Sequence, residues 1–265
     1  MKTVMVIIHD DAGQEARLQC ALDVTRALEG HMICMDVVQL PVVADDLGVG
    51  TASAMLVMDE RDREDSNIDR LEPRLASEGV SYEWARVQCN ADSAIADAAR
   101  LVDLIVVGRQ GIGDMSETGD LASRLAALTS APILLVPSDQ KSLDVSGKAL
   151  VAWDGSTSND AAVRAAVPLL KLADEVDILT IGDTANDADP AEVADYLARH
   201  GCRATARRIP KAGDISDQLL DALRTSGAKW AVTGSYGHSR LREALFGGAS
   251  KTLLAKAPIP ILLSH

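Results

Sequence analysis

The sequence predicts two tandem α/β units, each a doubly wound, five-stranded parallel sheet with helices on both faces. Three observations lead there. The chain has 265 residues, long for one compact domain and comfortable for two of about 130 each. Its apolar residues, 47% of the total with only 3% aromatic, fall in short runs of Val, Ile, Leu and Ala bounded by polar turns, the pattern of buried strands. The same landmarks also occur twice in the same order, and such self-similarity decides a fold before any single element does.

Residues 3–11 read TVMVIIHDD, an apolar strand ending in acid, and residues 149–155 read ALVAWDG, a strand ending in Asp154-Gly155. Residues 103–111 (DLIVVGRQG) match 229–237 (KWAVTGSYG), each a strand followed by Gly-x-x-Gly, and 131–137 (APILLVP) match 258–265 (PIPILLSH). Between these landmarks strand and helix alternate. In the first half, strands are expected near 3–8, 31–38, 81–88, 103–107 and 132–136, with helices near 12–28, 61–78, 91–101 and 119–129. In the second half, strands are expected near 149–153, 176–181, 202–208, 229–233 and 260–263, with helices near 157–172, 190–200, 213–226 and 249–256. Near-continuous apolar strands alternating with helices indicate parallel pairing with right-handed crossovers. The polar, aperiodic stretch 138–147 reads as the connection, giving units at 1–140 and 147–265. Residues 42–60, with Gly48-Val-Gly50, have no counterpart in the second half and read as a surface loop or a short extra helix. The apolar strands closing each repeat, 132–136 and 260–263, are expected to cover each other as an internal pseudo-twofold pair, because bare apolar edges invite aggregation.

Composition excludes several classes of function. Residues 1–147 hold 12 basic and 25 acidic residues, whereas 148–265 hold 14 of each. All of the net charge of −13 therefore lies in the first half. Neither half has the basic excess expected of a nucleic-acid binder, and a phosphate ligand should prefer the second. No apolar run approaches the roughly 20 residues a bilayer requires, and no secretory signal opens the chain, so a cytoplasmic protein is expected. Cys20, Cys34, Cys89 and Cys202 are scattered without CxxC or His spacing and read as buried reduced thiols. No metal motif, P-loop lysine or Ser-His-Asp order is present, so at most slow ATP hydrolysis is expected. Asp10-Asp11 suggests the acidic pair of a phosphorelay receiver, but the third strand runs into Gln88-Cys89-Asn90 and the fifth ends in Pro137, which lack the phosphoacceptor Asp and the Lys.

The second half concentrates groups where a doubly wound sheet binds ligands, beyond the carboxyl ends of its strands. Asp154 ends the first strand of that half. Gly234-Ser-Tyr-Gly237 follows the fourth, and after nine residues Gly247-Gly248-Ala249-Ser250 leads into a helix. Glycines let backbone approach a ligand closely, and N–H groups at a helix start attract anions. Asp154 could accept hydrogen bonds from ribose hydroxyls or the adenine edge, or merely cap the following helix. His238, Arg240 and Arg242 lie in the nine-residue loop, within reach of phosphates or simply in solvent.

Gly-x-x-Gly, nine residues and a further glycine, after a strand-ending Asp, resembles the ATP-binding type of universal stress protein. The resemblance extends over nearly the whole chain as two Rossmann-like copies. It implies that Asp154, Gly234, Gly237, His238, Gly247, Gly248, Ala249 and Ser250 hold ATP or AMP, with Mg2+ as a possible companion, and that Trp153 and Ile181 lie near the base. Gly248 stands where that family usually has Ser or Thr. The first half departs further: only seven residues separate Gly111 from Gly119, and Asp114, Glu117 and Asp120 occupy the loop. That half reads as structural or as a site for something else. The resemblance implies a nucleotide-responsive stress protein that pairs its lobes internally, with homodimerisation left open; a weak ATPase and a ligand-free interaction module are the alternatives.

Overall fold

The computed structural model describes residues 1–38, 50–88, 91–109, 121–234 and 249–264. Ten strands form one sheet. β1 (Thr3–Ile8), β2 (His31–Val38), β3 (Ser81–Gln88), β4 (Leu104–Gly108) and β5 (Ile133–Val136) belong to the first half; β6 (Ala149–Ala152), β7 (Val176–Ile181), β8 (Ala204–Ile209), β9 (Trp230–Gly234) and β10 (Ile261–Ser264) belong to the second. The order across the sheet is β3-β2-β1-β4-β5-β10-β9-β6-β7-β8. Each half thus has the same 3-2-1-4-5 order and is parallel throughout. The halves meet where β10 pairs antiparallel with β5, Leu262 opposite Leu134.

The helices are α1 (Gln14–Ala27), α2 (Gly50–Ser77), α3 (Ala91–Ala98), α4 (Leu121–Leu128), α5 (Thr157–Leu170), α6 (Pro190–Arg199), α7 (Ile215–Thr225) and α8 (Ala249–Lys256). Among the described residues, three helices begin at side-chain caps: Ser156 accepts from the Asn159 N–H, Asp189 from Ala191 with Pro190 in the first helical position, and Asp214 from Ser216. These caps satisfy backbone donors left over at each helix start. The helices bury two separate apolar layers. Alternate residues of each strand point to opposite faces, so Val4, Val6, Ile8, Val151 and Trp153 join the layer under α1 and α5. Met5, Ile7, Leu150 and Leu179 join the layer that contains Leu125 of α4, Leu220 of α7 and Leu253 of α8.

Two features differ from the expectations. α2 begins at Gly50 rather than near 61, so the later part of the 42–60 insertion is helix; residues 39–49 lie outside the described set. The segment after β5 is polar but anchored to both halves. Leu143 and Val145 are buried, the Leu143 N–H donates to Asp23 of α1 at 2.8 Å, and Trp230 Nε1 of β9 donates to the Val145 carbonyl at 3.3 Å. No helix among the described residues is long and apolar enough to cross a membrane.

Cys20, Cys34 and Cys202 are buried and free. Burial, with Asp23 near Cys20 and Glu72 near Cys34, pushes the first two thiols up to about 12. Alkylation followed by peptide mapping at pH 8 should therefore leave Cys20 and Cys34 unmodified in the folded protein and modify both after denaturation; prompt modification of either in the native state would contradict this burial. The seam between the halves makes a second prediction. Leu134 and Leu262 are both fully buried, so Leu134→Ala should cost about 2–5 kcal/mol. A cycle with Leu262→Ala should depart from additivity by about 0.5 kcal/mol or more, as touching residues do; strict additivity in denaturant titrations would mean that the seam does not form in solution.

Candidate functional site

β6 and β9 lie side by side and parallel, but the chain leaves them in opposite directions across the sheet. Their carboxyl ends therefore open a crevice at the topological switch point. At the end of β6 the chain turns through Asp154 and Gly155, whose φ of +79° falls in the left-handed region. A Cβ there would lie 2.9 Å from the Ala185 carbonyl oxygen, so glycine is required on two counts. Asp154 Oδ1 accepts from the Ser156 N–H at 2.8 Å and from Asn159 Nδ2 at 2.6 Å. Asn159 Oδ1 in turn accepts from the Gly234 N–H at 2.9 Å. One buried amide thus straps the carboxylate following β6 to the last residue of β9. The cap of α5 is Ser156, so Asp154 is not the capping residue. Its Oδ2 accepts no hydrogen bond among the described residues.

Gly234 shapes the crevice by lacking a side chain. A Cβ at this position would lie 2.6 Å from the Asn159 nitrogen and 2.7 Å from the Ser158 carbonyl carbon. The start of α5 packs directly on the end of β9, and both contacts are backbone.

Trp153 and Ile181 lie on opposite faces of the sheet. Trp153 is buried in the layer under α5, where its Nε1 donates to Asp160 Oδ1 at 3.1 Å. It borders a cavity of about 240 Å³ between α5 and α6, shared with Arg164, Glu192 and Tyr196. Ile181 belongs to the opposite layer, with Leu253 of α8. On that face Leu150 and Leu179 are buried, whereas Ala152, Ile181 and Ile209, nearer the carboxyl ends, are only partly so. The result is an apolar shelf beside Asp154 on the face that carries α8. Of the other expected site residues, Ala249 and Ser250 open α8, while Gly237, His238, Gly247 and Gly248 lie outside the described residues.

The first half has the same frame with different contents. The Asp103 N–H donates to the Thr3 carbonyl at 2.9 Å, as the Lys229 N–H does to Lys148 at 2.8 Å. Counting onward from these matched bonds sets His9, not Asp10 or Asp11, at the position of Asp154. It also sets Gly108 at that of Gly234, whereas the turn into α1 is two residues longer than the turn into α5, so the helical position of Asn159, three after the cap, falls at Ala16. This corrects the alignment of the two strand-ending acids. Beside Gly108 lies Arg17, only 2% exposed. Its Nε donates to the Ile7 carbonyl at 3.0 Å, and two of its nitrogens grip Asp11 at 2.9 Å. Gln14 does not reach across to β4. It exchanges two hydrogen bonds of 2.8 Å with Asn67 of α2, and Arg70 of α2 pairs with Asp10 at 2.7 Å. His9 Nδ1 lies 2.7 Å from Glu64 Oε1. Burial pulls this imidazole toward neutrality, but Glu64, aided by Asp11 and Glu60, outweighs it and raises the pKa above 6.5. α2 therefore fills with side chains the space that stays partly open in the second half.

Sequence reasoning missed Asn159 and the α2 side chains. Asn159 reads only as a polar residue in the first turn of a helix. A signal for α2 existed: Glu60, Glu64 and Asn67 continue, at intervals of three and four, the buried stripe of Leu71 and Leu75.

The architecture defines a doubly wound α/β protein with two switch points. Residues 146–265 match the model of the universal stress protein family, so the C-terminal half is a domain of that family. Universal stress protein Slr1230 of Synechocystis sp. is 25% identical over 170 residues, a match covering 60% of this chain and 57% of that protein's length. A universal stress protein from Archaeoglobus fulgidus DSM 4304 shares the fold over 99% of this chain and 95% of its own, with a TM-score of 0.73 at 16% identity. A putative universal stress protein from Pseudomonas aeruginosa UCBPP-PA14 does so over 99% and 92%, with a TM-score of 0.60 at 14% identity.

The close approach at Gly234 predicts that Gly234→Ala destabilises the fold by about 1–3 kcal/mol, as overpacking against immovable backbone does, with a Tm several degrees lower. An unchanged Tm in thermal denaturation would mean that α5 and β9 are not in contact.

Proposed function

We propose that this chain is a two-domain universal stress protein, with domains at 1–140 and 147–265, whose C-terminal domain binds one adenine nucleotide and uses it to change affinity for a partner rather than to carry out chemistry. The observation that carries this reading is the strap of Asp154, Asn159 and Gly234. It uses one oxygen of Asp154 and leaves the other at the switch point, next to a partly exposed apolar shelf on the face that carries α8. An adenine ring suits the shelf of Ala152 and Ile181. A ribose hydroxyl suits the unused oxygen of Asp154. The phosphates of ATP or AMP suit the amino end of α8, where backbone N–H groups and the helix dipole favour anions, and the sequence supplies glycines at 237, 247 and 248 for their close approach. Mg2+ would accompany the triphosphate. Trp153, with its indole committed to Asp160 on the other face, supports the frame rather than the base.

In the N-terminal domain His9 stands at the position of Asp154 and faces Glu64 of α2, and the glycine loop is shortened and acidic, so that domain is proposed not to bind nucleotide. Calorimetric titration with ATP and AMP tests both halves of the reading. Gly248→Asp copies Asp120 into the second domain. A carboxylate about 4 Å from a phosphate, at an effective dielectric near 20, opposes binding by about 4 kcal/mol. A third of that lowers affinity about tenfold. Asp120→Gly should create no second site, because the loop remains short. Undiminished binding by Gly248→Asp, or two nucleotides per chain, would contradict the assignment, and rapid ATP turnover in the same samples would favour an ATPase.

A further inference from the structure

The inward stripe of α2 changes character along its length. Its carboxyl half presents Leu71 and Leu75, whereas one to three turns earlier the same face presents Glu60, Glu64 and Asn67. Glu64 is fully buried, and a buried carboxylate is costly unless a positive charge or several hydrogen bonds compensate it. Besides the imidazole of His9, its partners are long contacts from neutral donors, the Asp10 N–H at 3.4 Å and Asn67 Nδ2 at 3.3 Å. His9, 6% exposed, brings Nδ1 to 2.7 Å from Glu64 Oε1. The separation suits a hydrogen bond but the direction does not, and Nδ1 remains a buried polar atom with no hydrogen-bond partner. Glu60 stands one helical turn before Glu64, giving one oxygen to Arg63 at 3.1 Å. One ligand atom from each of His9, Glu60 and Glu64 lies within 4.8 Å of the other two.

Three ligand atoms converge at the end of β1: His9 Nδ1 and Glu64 Oε1 face each other at 2.7 Å, and a Glu60 carboxylate oxygen lies within 4.8 Å of both. We propose that His9, Glu60 and Glu64 bind one divalent transition-metal ion, Zn2+ by preference, which clamps α2 to the end of β1. One imidazole nitrogen with two carboxylates suits zinc, whose ligands include both types, better than Ca2+ or Mg2+, which take oxygen shells. Ligand atoms around a tetrahedral zinc stand about 3.4 Å apart. The 2.7 Å contact and the 4.8 Å limit bracket that value. Three protein ligands leave a position for water. Asn67 holds Glu64, as outer partners of metal ligands do, and Arg17 fixes the backbone at His9 through its carbonyl at 3.1 Å. One strand over, Asp36, opposite Ile8, is 1% exposed; it pairs with Arg86 through one oxygen and keeps a second buried oxygen without a hydrogen-bond partner. The inference is independent of nucleotide binding in the other domain.

The test uses the full chain, stripped with EDTA and free of nucleotide, titrated calorimetrically with ZnCl2. One Zn2+ per chain is expected, with a higher Tm in its presence. His9→Gln and Glu60→Gln should each weaken binding about tenfold or more. Glu60 is partly exposed, so its variant keeps the test open if His9→Gln fails to fold. Substituted Co2+ should give visible bands without thiolate charge transfer, since no cysteine belongs to the site. The proposal is overturned by the absence of Zn2+ binding, by binding that neither substitution weakens, by a thiolate signature, or by Mg2+ binding as tightly as Zn2+.

Discussion

Two strands of four residues each, Ile133–Val136 and Ile261–Ser264, join ten strands into one sheet. Each half ends in an apolar edge strand that would otherwise face water and invite pairing with another chain. By covering each other antiparallel, with Leu134 against Leu262, they remove both edges and relate the halves by an internal twofold. The consequence for function is geometric. Because each half is parallel and the halves are antiparallel to each other, their carboxyl ends lie at opposite rims of the sheet. The two switch points cannot share a ligand, and each must be complete within its own half. The outer edges, β3 and β8, carry charged residues such as Arg86, Arg207 and Arg208, which discourage further strand addition.

One frame with two fillings then accounts for the contrast between the sites. At matched positions the second half has Asp154 and Gly234, and the first has His9 and Gly108. Asn159 reaches β9 and holds the crevice in shape. Gln14 instead reaches α2. The length of the helix after the second strand decides which occurs: α2 runs for 28 residues and α6 for 10. The longer helix brings Glu64, Asn67 and Arg70 over the end of β1, and the shorter one leaves a cavity beside Trp153. Acidic excess in the first half and charge balance in the second follow the same division.

Much of the fold was legible because buried parallel strands are continuous apolar runs. β1, β2, β3 and β7 fall where the sequence put them, and most helices agree within a few residues. What failed has physical causes. The start of α2 was obscured because it opens on Gly50-Thr51 and small residues that read equally as loop. The pairing of Asp10-Asp11 with Asp154 followed residue type, whereas strand register follows hydrogen bonds, and these select His9. Trp153 and Ile181 were grouped by proximity to a strand end, although alternation along β6 puts Trp153 on the face of Ala149 and Val151. Asn159 was invisible because its importance lies in a contact with Gly234, distant in sequence.

The central claim is that one half of a repeated frame holds a nucleotide and the other does not. Native mass spectrometry of the intact chain equilibrated with ATP, in the presence of Mg2+, measures that stoichiometry directly. The account predicts one nucleotide per chain at saturation. Two per chain, or none, would contradict it.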